Sequence, residues 1–132
     1  YLVSGRAPRR QGNAHATIVP YQPFAAADGT LMLAVGNDGQ FARLCGVLGR
    51  PELAADPRFA TNPARVTHRG ELVAILAAII ATRPVAAWEG ELLAAGVPCG
   101  PLNDIPAALA DPQAAARAMV QELQDSTGEL LR

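Results

Sequence analysis

Lysine is absent from the 132 residues, and all eleven basic residues are arginine. That inventory excludes a Schiff-base lysine and a phosphate-loop lysine. Cysteine is scarce: Cys45 and Cys99 stand far apart without a short-range partner, which suits reduced thiols better than a disulfide framework. No apolar run reaches the roughly 18 residues of a membrane span, and the opening YLVSGRAPRRQ lacks the charged-then-apolar order of a signal peptide. The expectation is a cytoplasmic protein with no membrane partner. Charged residues make up 17% of the chain and balance to a net −1, so no general field draws it to nucleic acid.

The familiar catalytic motifs are missing as well. GxGxxG, the phosphate loop, GxSxG and HExxH do not occur. Two cysteines and two histidines, His15 and His68, lack the close spacing of a zinc site, so no metal is expected. Glu89 and Glu91 stand two apart and do not share a helix face. In GVPCGPLND, from Gly96 to Asp104, a thiol lies between two prolines, yet no neighbour in sequence supplies an activating cation. Cys99 therefore reads as packing beside a rigid turn, and His68, next to Arg69, as an exposed residue.

What is present is apolar and patterned. Half of the residues are hydrophobic, enough for one domain burying about 65–70% of its extended surface. Ser4 to Asn13 is dense in Gly, Arg and Pro and reads as a linker whose Arg6, Arg9 and Arg10 are solvated. Ile18 to Phe24 and Leu31 to Val35 are β-prone runs around Asp28-Gly29, a pair that favours positive φ and predicts a hairpin. Asn37 and Gln40 have capping-box spacing ahead of Phe41, Leu44, Cys45 and Leu48, and Gly49 stops that helix with Cys45 on its buried face. Pro51 to Ala55 reads as a short helical turn. Asn62-Pro63 starts the longest helix, reaching about Thr82 with Val66, Val73, Leu76 and Ile80 on one stripe. Pro84 opens another with Val85, Trp88, Leu92 and Ala95 on one face and Gly96 as a left-handed cap. Asp104 and Asp111 cap two short helices, and Met119 to Leu123 with Glu129 to Leu131 predict a last hairpin. The 27 alanines follow no fixed period, so no repeat is inferred. From these residues alone the chain is a mixed α/β domain, and no mechanism follows.

Several strings carry a resemblance: GNAHATIVPYQPF (12–24), DGTLMLAVGNDGQFARLCGVLG (28–49), DPRFATNPARV (56–66), and GVPCGPLNDI with ADPQAAARAM (96–119). Together and in this order they resemble the small domain of family III CoA-transferases, the CaiB/BaiF group. The opening GNAH…IVPYQ is most similar to enzymes of the formyl-CoA:oxalate or succinyl-CoA:glutarate kind. The resemblance implies an α+β small domain with a small antiparallel sheet and several packed helices. It implies residues 1–20 as inter-domain linker and possible active-site loop, 21–118 as the small domain, and 119–132 as a strand or hairpin returning toward a large domain outside this chain. It also implies a coenzyme A thioester and a carboxylic acid as substrates and an interlocked homodimer.

In that family an aspartate attacks the acyl-CoA thioester to give a mixed anhydride and CoA thiolate. The acceptor carboxylate then displaces the acyl group, and CoA re-attacks. The resemblance places that aspartate upstream of Tyr1, so none of the six aspartates here takes the role, and the chain alone is expected to be inactive. Its start at Tyr1 rather than Met fits a piece of a longer protein. Gly12, Asn13, His15 and Tyr21 are the candidate substrate-site residues, because Gly12 to Tyr21 aligns with a glycine-rich loop that shields the anhydride from water. Here that loop has one glycine, and His15 either takes over part of the contact or merely anchors the linker. Two other readings are a segment of an α-methylacyl-CoA racemase, which works through a His/Asp pair, and a non-catalytic acyl-CoA or protein interaction module.

Overall fold

The computed structural model describes the chain apart from residues 1, 3, 4, 6, 8, 9, 11, 122, 125, 129 and 132. Two of the arginines in the N-terminal arm, Arg6 and Arg9, lie outside the described residues. The chain divides into two compact units, Tyr1–Leu102 and Asn103–Arg132. The fold is mixed α/β, with a small antiparallel sheet among helices, as the resemblance implies.

The first unit is built on a three-stranded antiparallel sheet: β1 (Tyr21–Ala25), β2 (Thr30–Ala34) and, returning from far along the chain, β3 (Cys99–Pro101). β2 lies in the middle, with Leu31 opposite Phe24 and Leu33 opposite Cys99. Alternation sends Phe24, Leu31 and Leu33 to the covered face, the period-two pattern of a half-buried sheet. Five helices surround it: α1 (Asp38–Val47), α2 (Glu52–Ala55), α3 (Asn62–Thr67), α4 (Arg69–Ile80) and α5 (Val85–Ala94). Phe41 and Leu44 of α1, Leu72, Leu76 and Ile80 of α4, and Trp88 and Leu92 of α5 complete one core.

Local chemistry sets most of the boundaries. Asn37 accepts the Gln40 N–H at 2.9 Å to start α1, and the Gln40 side chain reaches back to the Gly36 N–H at 2.7 Å, one residue before the cap it was expected to serve. α5 ends on Gly96 at φ 70°. There the Val97 N–H donates to Leu92 O and the Gly96 N–H to Leu93 O, both at 2.9 Å, the paired bonds that a left-handed glycine allows.

Several sequence expectations shift. The first strand begins at Tyr21, not Ile18, because Pro20 has no N–H and the Val19 N–H and C=O are taken by side chains of α3. Gly29 does not adopt positive φ. Instead Asp28 serves a distant element: its Oδ1 accepts the Val85 N–H at 2.8 Å, capping α5, whose Pro84 has no side-chain acceptor. The long helix expected from Asn62 to Thr82 divides at His68, where φ is −99° and ψ 24°. The Thr67 hydroxyl bonds back to Pro63 O at 3.1 Å just before this point, a contact that bends helices. The inward stripe accordingly runs through Arg65, Leu72, Leu76 and Ile80, while Val66 and Val73 are only half-buried.

The second unit holds α6 (Ile105–Leu109), α7 (Pro112–Ala116) and a two-stranded sheet of β4 (Leu123–Gln124) and β5 (Leu130–Leu131). Asp104 and Asp111 cap the helices as expected, accepting the Ala107 and Gln113 N–H groups at 2.9 and 2.7 Å. The hairpin is present but shorter, pairing Leu123 with Leu131 and Gln124 with Leu130.

Trp88 is 2% exposed, and its indole N–H donates to Ile80 O at 2.9 Å. Replacing it by alanine opens a cavity between α4 and α5. Trp88→Ala is expected to cost roughly 3–5 kcal/mol, measured by urea denaturation followed by circular dichroism; a loss below about 1 kcal/mol would contradict the packing described.

Candidate functional site

From His15 to Val19 the 12–21 segment is held against α3 and α4 by side chains, before Tyr21 enters the sheet opposite Ala34. At its base lies Arg65, 0% exposed and projecting from α3. Its Nε donates to Val19 O at 2.6 Å, its Nη1 to Phe59 O at 2.9 Å and its Nη2 to Asp38 Oδ1 at 2.8 Å. The guanidinium also lies 4.4 Å from the centre of the Phe41 ring. Burying a cation this completely costs several kcal/mol unless its donors are satisfied, and the planar fork lets three donors be satisfied at once.

Asn62, one turn before Arg65, doubles this attachment. Its Nδ2 donates to Thr17 O at 2.8 Å, its Oδ1 accepts the Val19 N–H at 3.1 Å, and its own N–H donates to the same Asp38 oxygen at 2.9 Å. Asp38 thus ties α1 to the two α3 residues that hold the loop. The Val35 N–H adds a bond to Pro20 O at 3.1 Å, and the Val19–Pro20 peptide is cis.

Farther out stand the candidate residues themselves. Gly12 and Asn13 are exposed, with Gly12 at φ 59°. His15 is exposed and stacks on the half-buried Tyr21, ring centres 5.3 Å apart and planes within 17°. The His15 N–H donates to Tyr21 O at 2.9 Å, and Nδ1 accepts the Thr17 N–H at 3.2 Å. Arg69, at the start of α4, donates from Nη2 to His15 O at 2.8 Å and Ala16 O at 2.9 Å. Its Nη1 is buried without a hydrogen-bond partner among the described residues. The structure therefore brings His15 and Tyr21 together and leaves Gly12 and Asn13 at the open end.

Arg65, Asn62, Asp38 and Arg69 were not singled out from sequence as site residues, Asn62 being read as a helix start. The available signal was an arginine at heptad distance from Leu72 on an otherwise apolar stripe. His68, expected to be exposed, is half-buried: it faces Phe59 edge-on at 6.5 Å and its Nδ1 lies 3.2 Å from Glu71 Oε1. That bond, with Arg58 donating to the other Glu71 oxygen at 2.8 Å, holds the Glu71 carboxyl below its usual range. Arg58 likewise depresses Asp56, so this chain of charges braces the division between α3 and α4. Among the described residues no group of three or more His, Cys, Asp or Glu side chains has the arrangement of a metal site.

Neither cysteine has the surroundings of a nucleophile. Burial pushes the Cys45 thiol up to about 11, only partly offset by Arg65, and burial with the nearby Glu89 carboxylate also raises Cys99. A nucleophilic thiol needs the opposite shift.

Comparison with known proteins gives this arrangement its class. The model of CoA-transferase family III matches residues 1–132, and the chain belongs to that family. It is 47% identical over 135 residues to a succinate–glutarate CoA-transferase of Agrobacterium fabrum, covering 99% of this chain and 33% of that protein. It is 43% identical over 120 residues to an acetyl-CoA:oxalate CoA-transferase of Acetobacter aceti, covering 91% of this chain and 31% of that protein. The crystal structure of a CaiB/BaiF family protein from Brucella suis superposes with a TM-score of 0.82 at 41% identity, covering 99% of this chain and 37% of that one. The chain spans about a third of the length of the curated relatives it matches.

Thiol labelling tests the reading of the cysteines. At pH 8, below the raised thiol values, Cys45 is expected to resist iodoacetamide until the chain is unfolded, and Cys99 to react slowly. Rapid alkylation of either in the folded protein, read by mass spectrometry, would contradict their placement.

Proposed function

We propose that this chain is the small-domain part of a CoA-transferase that moves CoA between dicarboxylic acids, of the succinyl-CoA and glutarate kind. The observation that carries the reading is the family match over residues 1–132, together with 47% identity to a relative named for that reaction. Residues 1–20 serve as linker and active-site loop, 21–118 as the small domain, and 119–132 as the return toward a large domain. The exposure of Ile105, Met119 and Leu123 supports a covering surface supplied by the rest of the protein. The working form is a cytoplasmic homodimer.

In this reading an aspartate outside the chain attacks the acyl-CoA thioester, releasing CoA thiolate and forming a mixed anhydride. The acceptor carboxylate attacks the enzyme's own carbonyl and expels the donor acid, leaving a second anhydride. CoA thiolate then attacks the acceptor acyl carbon, giving the new thioester and freeing the aspartate. The 12–21 segment takes part by excluding water from the anhydride. One glycine and four anchoring side chains, Asn62, Arg65, Arg69 and Tyr21, make it a fixed wall, and the gating motion of a glycine-rich loop is not needed.

The intact protein tests this directly. Incubated with succinyl-CoA and glutarate it is expected to form glutaryl-CoA, and hydroxylamine added during turnover to trap a hydroxamate on an aspartate outside residues 1–132. Absence of glutaryl-CoA, or a hydroxamate on any aspartate within these residues, would overturn the assignment.

A further inference from the structure

Among the described residues Arg69 forms no ion pair, and it is the arginine that clamps the His15 end of the loop. The nearby carboxylates are taken: Glu71 pairs with Arg58 and His68, and Asp38 with Arg65. Among the described residues Arg69 bonds only to the carbonyls of His15 and Ala16, and its Nη1 is buried with no partner. Its positive charge therefore lies against the His15 and Ala16 carbonyls, at the outer end of the loop.

The ring of His15 has one chemical polarity in this arrangement. Because Nδ1 accepts the Thr17 N–H, it carries no proton, and the ring proton sits on Nε2. Nε2–H makes no hydrogen bond among the described residues, and the ring is exposed. Stacking on Tyr21 and the bond from the His15 N–H to Tyr21 O fix where the ring lies. A held N–H donor on a loop whose backbone a guanidinium clamps at the same residue is a site for an anion, and a carboxylate is the anion that the proposed reaction provides.

We propose that His15 is a specificity-determining residue that binds the distal, non-reacting carboxylate of the dicarboxylic substrate through Nε2–H, and that Arg69 is its positioning residue. The assignment rests on the transferase reading for its substrate class. Arg69 acts by clamping the loop backbone at His15 and Ala16, which fixes where the ring is presented. A dicarboxylic acid is then held by the carboxylate that does not react, which presents the other to the anhydride.

The test uses the intact protein and two substitutions whose folding is checked by circular dichroism. His15→Phe keeps a flat ring against Tyr21 and removes the donor. It is expected to raise KM for glutarate at least about tenfold, the loss of a charge-assisted hydrogen bond, with kcat reduced by less than about threefold. Arg69→Met is expected to raise the same KM and to speed hydrogen exchange at the Thr17 amide, and Arg69→Lys to recover part of both. An unchanged KM for glutarate in His15→Phe, or a fall in kcat at constant KM, overturns the proposal. Nitrogen NMR of histidine-labelled wild type, assigned by difference from His15→Phe, provides a readout independent of turnover: it is expected to show Nδ1 unprotonated, and a protonated Nδ1 in the neutral ring overturns the His15 assignment. Failure of the wild type to form glutaryl-CoA instead defeats the transferase reading, and with it the substrate class named here.

Discussion

One buried guanidinium, that of Arg65, joins the parts of the first unit that the backbone alone would leave separate. It ends three hydrogen bonds on three segments, the loop at Val19, the α2–α3 connection at Phe59 and α1 at Asp38, and it lies against Phe41. No apolar side chain of that size would satisfy the Val19 and Phe59 carbonyls, and each buried acceptor left unpaired costs about 1–3 kcal/mol. Asp38 is half exposed while Arg65 is fully buried, so the pair is better viewed as an anchored cation than as a symmetric buried salt bridge.

The loop inherits its rigidity from this anchor. Asn62 holds both backbone sides of the Thr17–Val19 stretch, and Arg69, seven residues farther on, holds His15 and Ala16. All three side chains project from the α3–α4 pair, so the division at His68 matters: it lets Arg65 point into the core while Arg69 reaches the outer part of the loop. The Arg58, Glu71 and His68 contacts stiffen that division on its solvent side. The carboxylates in this belt, Asp56 and Glu71, have depressed values. Their contribution to stability is therefore present above the ordinary carboxylate range and lost as pH falls through their lowered values, and being exposed it is small.

How much of this was legible in sequence depended on how local the cause was. The Asn37 cap, the Gly96 stop and the Asp104 and Asp111 caps are decided by neighbours within a few residues, and each lies where spacing placed it. The Asp28 cap on Val85 spans 57 residues and the Arg65 bond to Val19 spans 46. Neither leaves a periodic trace, since a side chain that serves a distant backbone group looks like any surface polar residue. Of the expected stripe, Leu76 and Ile80 are buried, while Val66 and Val73 lie one position from the buried Arg65 and Leu72; for Val66 the count ran through His68 as though the helix were continuous. His15 and Tyr21 came into view through resemblance, whereas the residues that hold them emerged only from the folded geometry.

Replacing Arg65 tests most directly whether this guanidinium organises the loop. Arg65→Met keeps the stem and removes the three donors, and is expected to cost about 3 kcal/mol or more, against less than about 1 kcal/mol for the exposed Arg58→Met. Hydrogen exchange under native conditions should show the Val19 amide losing protection more than amides in the middle of β2. A loss below about 1 kcal/mol in Arg65→Met, or Val19 protection equal to wild type, would contradict the dependence of the loop on Arg65.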